Sequence, residues 1–193
     1  MESHKLAVKF FVENGAGTPV EEFVPVFHRW IQGKVLEGHQ LIDAANYAHV
    51  HEGPGVVLVS HEANIHADRG EGKLGLLYIR KQPGAGNTFR ERLRSTFGYA
   101  LKAASMLEQD PALVGKISFR TRDPLFLIND RLFAPNTPDT LGKVRGELEA
   151  FLKGLYGGNV ELKYEPDAER LFQVRIGAPE TKIATLLGRV ATA

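Results

Sequence analysis

The chain reads as an α+β protein built on a largely antiparallel sheet, with its helices packed against one face. Three observations predict this. Apolar runs come in pairs around turn residues, at Gly53-Pro-Gly55, Asp123-Pro124 and Pro166-Asp167, which is the pattern of hairpins. Separate stretches carry apolar residues at helical spacing. The order strand, Thr-Pro-started helix, hairpin and later helix occurs twice, once from Thr18-Pro19 and once from Thr137-Pro138. Handedness of the crossovers then favours a ferredoxin-like arrangement or a duplicated β-α-β-β variant of it. We expect one compact domain over residues 1–193, divided into pseudo-repeats of about 1–115 and 116–193.

The elements follow in order. Lys5 to Glu13 is apolar and rich in Val and Phe, a strand. Thr18 can cap a helix with Pro19 in its first turn, and Glu21 and Glu22 suit the positive end of its dipole. Phe23, Phe27, Trp30 and Ile31 form its buried stripe. Pro25 should kink this helix or shorten its start. Tyr47 to Glu52 and Val56 to His66 form a hairpin, and Lys73 to Gln82 a further strand. Thr88 to Gln109 is the clearest helix, with Phe89, Leu93, Phe97, Ala100, Ala104 and Leu107 stepping by three and four.

In the second half, Lys116 to Arg122 and Leu125 to Phe133 pair as strands. Asn136-Thr-Pro opens a helix that Gly157-Gly158 stops. Val160 to Glu165 and Leu171 to Ile176 make the last hairpin, and Pro179 to Val190 a short helix. Asn129-Asp130-Arg131 interrupts the core pattern of its strand, and a bulge or turn accounts for it most simply.

Composition narrows the function classes. Of 193 residues, 24 are basic and 23 acidic, so no global polyelectrolyte partner is implied. There are no cysteines, which excludes disulfides, thiolate nucleophiles and Cys-ligated metals. The N-terminus has no long apolar segment, and no run approaches the roughly 20 residues that span a bilayer. A cytoplasmic protein without a membrane is expected. An oligomer of identical chains is compatible with all of this.

Phe27-His-Arg-Trp-Ile-Gln32, His61-Glu62-Ala-Asn, Gly75-Leu-Leu-Tyr-Ile-Arg-Lys81 and Leu127-Ile-Asn-Asp-Arg-Leu-Phe-Ala-Pro-Asn-Thr137 carry a resemblance. Together they resemble a family of uncharacterised bacterial soluble proteins of about this length, over most of the chain. The resemblance implies a bacterial cytosolic protein. It brings no activity and no functional residue with it.

Two constellations could carry chemistry. Five of the seven histidines lie between His39 and His66. His49 and His51 share one strand face if they stand in a strand, and His61 joins them across a turn centred near Pro54. Such a trio could hold a divalent metal such as Zn, Fe or Mn. The same residues could equally be histidines hydrogen-bonded beside a sheet. The spacing His61 to His66 is five, so the metalloprotease helix pattern is rejected.

The second constellation is basic. From Arg80 to Arg122 there are nine Lys or Arg against three Asp or Glu. The loop Pro83 to Thr88 enters a helix, and its amides could receive an anion. Gly84, Gly86, Asn87, Thr88, Arg90, Arg92 and Arg94 are the candidate anion-binding residues. The alternative is a turn beside a solvated helix rim.

No catalytic triad is legible: Ser60 and His61 are adjacent and cannot face each other across a strand. The aromatics near the basic stretch belong to a helix core, so no stacking platform for nucleic acid is formed. The leading expectation is a binding or assembly module for an anionic small molecule or a protein partner. The rival is a metal-dependent enzyme centred on His49, His51 and His61.

Overall fold

The computed structural model describes residues 3–193 except 14 and 85. Its centre is β1 (Leu6–Phe11), six consecutive buried residues. A strand buried on every residue must be covered on both faces, and here the two coverings differ in chemistry.

Eight strands form one sheet. They are β1, β2 (Leu41–Tyr47), β3 (Gly55–Ser60), β4 (Ala63–Asp68), β5 (Gly75–Arg80), β6 (Leu125–Ile128), β7 (Glu161–Lys163) and β8 (Phe172–Gly177). Their order is β2-β3-β4-β5-β1-β6-β8-β7, and every pairing is antiparallel. The helices are α1 (Phe23–Gly33), α2 (Phe89–Gln109), α3 (Pro138–Tyr156) and α4 (Ile183–Val190). α1 carries the chain from β1 to the edge strand β2, and the meander returns to β5, beside β1. α3 carries it from β6 to the other edge strand, β7, and β8 returns beside β6.

All four helices lie on one face. α1 packs on β2 and β3, and α2 on β1 and β5. α3 and α4 pack on α2. Phe97 of α2 is the hub: its ring lies 6.4 Å from Phe10 of β1 and 5.2 Å from Phe151 of α3. Trp30 is buried against Phe27 at 5.6 Å, as the helical spacing predicts.

Among the described residues no helix packs on the opposite face. Two rows of side chains cross it. One runs Val57, His66, Leu77, Lys9, Leu125, Arg175, and the next runs Val59, Asn64, Ile79, Ala7, Leu127, Gln173. Lys9 is buried in the middle of this face. It donates to the Asp68 carboxylate and to the Gly70 carbonyl oxygen at 2.9 Å. Phe11, also buried here, has the cations of Lys9, Arg175 and Arg120 over its ring at 5.1, 5.1 and 5.6 Å. This face therefore covers β1 with cation–aromatic contacts and aliphatic neighbours instead of a helix.

Several local expectations shift. Thr18 and Pro19 precede a single 3-10 turn, Val20–Glu22, and α1 starts only at Phe23. Pro25 thereby falls in the first turn, where its missing N–H has no intrahelical partner to lose. Val56 to His66 is two strands, not one. Ser60 Oγ donates to the Ala63 carbonyl at 2.6 Å and accepts from the Ala63 amide at 3.0 Å, closing a turn at His61 and Glu62. Lys116 to Arg122 contributes only a bridge, Val12 to Phe119. Asn129 to Arg131 lies beyond the end of β6, and Asp130 Oδ1 accepts from the Phe133 amide at 3.2 Å in a turn. Among the described residues no helix is long and apolar enough to cross a membrane.

Candidate functional site

Three connections meet at one end of the sheet: the turn from β2 to β3, the 3-10 turn Gly70–Gly72 between β4 and β5, and the turn before α1. They border an open pocket of about 710 Å³. Its wall includes Tyr47, His49, Val50, His51, Glu52 and Arg69.

The backbone explains why these side chains gather there. The Val50 amide donates to the Tyr47 carbonyl at 2.9 Å and the Gly53 amide to the Val50 carbonyl at 3.0 Å, two turns in succession. Glu52 takes a left-handed conformation, φ 53°. Gly55 also has positive φ, and a Cβ there would come within 2.1 Å of the Ala67 carbonyl oxygen. Only glycine fits a chain passing that close. Arg69 donates to the carbonyls of Thr18 at 2.7 Å and Gly15 at 3.2 Å, tying the β4–β5 connection to the segment before α1. The wall thus carries His49, His51 and Glu52, with Tyr47 and Val50 as its apolar part, while the Arg69 guanidinium is held by the Thr18 and Gly15 carbonyls.

Of the three histidines expected to converge, His49 and His51 stand together in this turn, exposed, and not in a strand. His61 lies in the β3–β4 turn at the other end of β3. Six residues separate the two ends, roughly 20 Å at about 3.3 Å per residue. The expected trio is therefore not brought together, because the turn spans 48–54 and leaves His49 and His51 outside the ladder. Among the described residues no group of three or more His, Asp or Glu is placed to hold a metal ion.

The loop before α2 also differs from expectation. Thr88 caps α2, its Oγ1 accepting from the Glu91 amide at 3.2 Å. Glu91 Oε2 in turn accepts from the amides of Asn87 and Thr88 at 2.8 and 2.9 Å. The carboxylate that these amides receive is the chain's own, and those hydrogen bonds hold Glu91 below the usual carboxylate range. Gly84 and Gly86 both have positive φ, and a Cβ on Gly86 would strike Glu91. Arg92 donates to the Asn87 carbonyl at 3.1 Å and Arg94 to the Ala193 carbonyl at 2.7 Å, while Arg90 is exposed. The three arginines do not flank one opening: Arg92 and Arg94 serve backbone carbonyls. Residue 85 of this loop lies outside the described residues.

A third cluster had no signal in the sequence. His39, between α1 and β2, shares a hydrogen bond with the Tyr78 hydroxyl at 2.9 Å, through Nε2. Its ring lies 4.3 Å from Tyr99 of α2, and Tyr78 and Tyr99 stack at 5.9 Å. Burial lowers the His39 pKa and pushes Tyr78 up to about 12, so a neutral ring meets a neutral phenol. A Cβ on Gly38 would lie 2.5 Å from the Tyr99 hydroxyl. The cluster docks the α1–β2 connection onto the body of the fold.

Compared with known proteins, the chain matches no family model, no curated protein and no solved structure.

Proposed function

We propose that the protein is a binding module that takes a small anionic molecule in the cavity between the β2–β3 turn and the β4–β5 connection. The observation that carries this reading is the wall itself. A cavity of about 710 Å³ falls within the roughly 300–1,000 Å³ of small-molecule sites. Its polar groups are His49, His51, Arg69 and Glu52. The protein works in the cytoplasm of a bacterium in this reading, in keeping with the absence of cysteine and with the family resemblance.

The two halves are read as versions of one unit, strand, crossover helix, meander and closing helix. Each crossover helix follows a Thr-Pro pair, and each meander runs from a sheet edge back to the strand that opened the unit. The first meander has four strands and the second two.

Titration of the full chain with inorganic phosphate, citrate and a nucleoside monophosphate, followed by amide chemical shifts, tests the reading. At least one probe should shift residues 47–55 and 69–72. The variant with His49→Ala and His51→Ala should bind about tenfold more weakly, the equivalent of about 1.4 kcal/mol. Shifts confined to residues 83–94, or no shift with any probe, would refute it.

A further inference from the structure

The connection from α1 to the edge strand β2 is fastened by one ring. His39 Nε2 meets the Tyr78 hydroxyl at 2.9 Å, and the imidazole stands at a steep angle to Tyr99, with centroids 4.3 Å apart. Gln40 then clips the start of β2 to the β3–β4 turn. Its amide donates to Glu62 Oε2 at 2.7 Å, and its carbonyl accepts from the His61 amide at 3.0 Å. On the other side Leu36 is a buried anchor. Between the two anchors lies Gly38, in a left-handed conformation at φ 77°. We propose that segment 37–40 is an acid-sensitive latch, closed by a neutral His39 and released when that ring takes a proton.

Donor counting carries the inference. A neutral imidazole brings one N–H and an imidazolium two. The second finds no acceptor here. On the Nε2 side the Tyr78 oxygen already receives the Arg80 guanidinium, and a further donor from His39 would leave the phenol hydrogen unpaired. Nδ1 is buried without a hydrogen-bond partner among the described residues. The Glu37 carbonyl favours a proton there, but outside good bonding geometry. A buried donor without an acceptor is costly, and more so when it is charged.

The surroundings of the ring act in the same direction. Burial weighs most against the charged form. Arg80 of β5 and Lys102 of α2, one turn beyond Tyr99, also oppose a cation, while Glu62 of the β3–β4 turn favours one. The Glu62 carboxylate is already engaged by the Gln40 amide and faces His61 as well. The fastening is local. The buried stripe of α1 and Leu36 lie outside it, so the latch opens without the rest of the fold.

Amide hydrogen exchange on the full chain, read as protection factors at pH 7.5 and pH 5.5, tests this. Protection of the His39, Gln40 and His61 amides should fall by about three- to tenfold, because one proton taken up on release changes the balance by at most about tenfold per pH unit. The amides of Leu101 and Ala104 in α2 should keep theirs, and His39→Gln should abolish the fall. Unchanged protection in the wild type overturns the proposal. So does the same fall in His39→Gln, which would assign the effect to Glu62 or His61, and so does a loss shared by α2, which would mean global unfolding. Should His39→Gln fail to fold, the wild-type ring decides. A latch released by a proton must resist that proton while closed, so a His39 imidazole that titrates at or above the ordinary value of 6.5 overturns the proposal.

Discussion

Lys9→Met removes one partner of an ion pair that water barely reaches. The side chains of Lys9 and Asp68 are only 4% and 8% exposed. After the substitution Asp68 keeps the Gly70 amide, at 2.8 Å, but loses its cation. Removing one member of a buried pair leaves an uncompensated charge and costs about 3–5 kcal/mol. A chain of this size loses about 2–4 °C of melting temperature per kcal/mol, so the midpoint should fall by roughly 6–20 °C. Asp68→Asn should be destabilising for the same reason, with Lys9 left holding only the Gly70 carbonyl. The double variant should lose clearly less than the sum of the two, since neither charge remains to be buried alone. Urea unfolding followed by circular dichroism measures all four proteins. A Lys9→Met variant within about 1 kcal/mol of wild type, or strictly additive losses, would refute the view that the pair is buried and coupled.

Trp30→Ala should cost about 3–5 kcal/mol, because it empties a core position packed on Phe27; an unchanged melting temperature would show that the α1 stripe does not anchor the helix. His39 and His66 are both held below their ordinary value of 6.5 by burial. The unfolded chain therefore binds more protons, and their contribution to stability, complete above about pH 6.5, is lost as pH falls towards the folded-state values. The melting temperature should drop between pH 7 and pH 5.5, and the variant with His39→Gln and His66→Gln should show a flatter profile. A rise on acidification would contradict the burial of both rings.

Elements specified by neighbouring residues were readable from the sequence. The start of α2 depends on Thr88 and Glu91, three positions apart, and its face on apolar residues within the same helix. The end of α3 depends on Gly157 in a left-handed conformation. Both are local, so residue types at fixed offsets suffice to locate them. The split at His61 and Glu62 escaped because a single hydroxyl, that of Ser60, closes the turn inside a run that is otherwise uniformly apolar. The candidate site was half legible. His49 and His51 stood out, but their place depends on where the ladder between β2 and β3 ends. Arg69 and Tyr47 join them only when strand register brings three connections to one end of the sheet.

The amino-acid sequence by itself determined the four helices, their buried stripes and the last hairpin, because each is set by periodicity or by residues within one turn. Tertiary structure alone decided what each charge and ring does. Asp68 neutralises Lys9 from 59 positions away, and Tyr78 reaches His39 from 39 away. Arg94 meets Ala193 across 99. These partners are chosen by sheet order and helix docking, and the energy of a buried charge depends on what stands within a few ångströms of it, which no offset along the chain records.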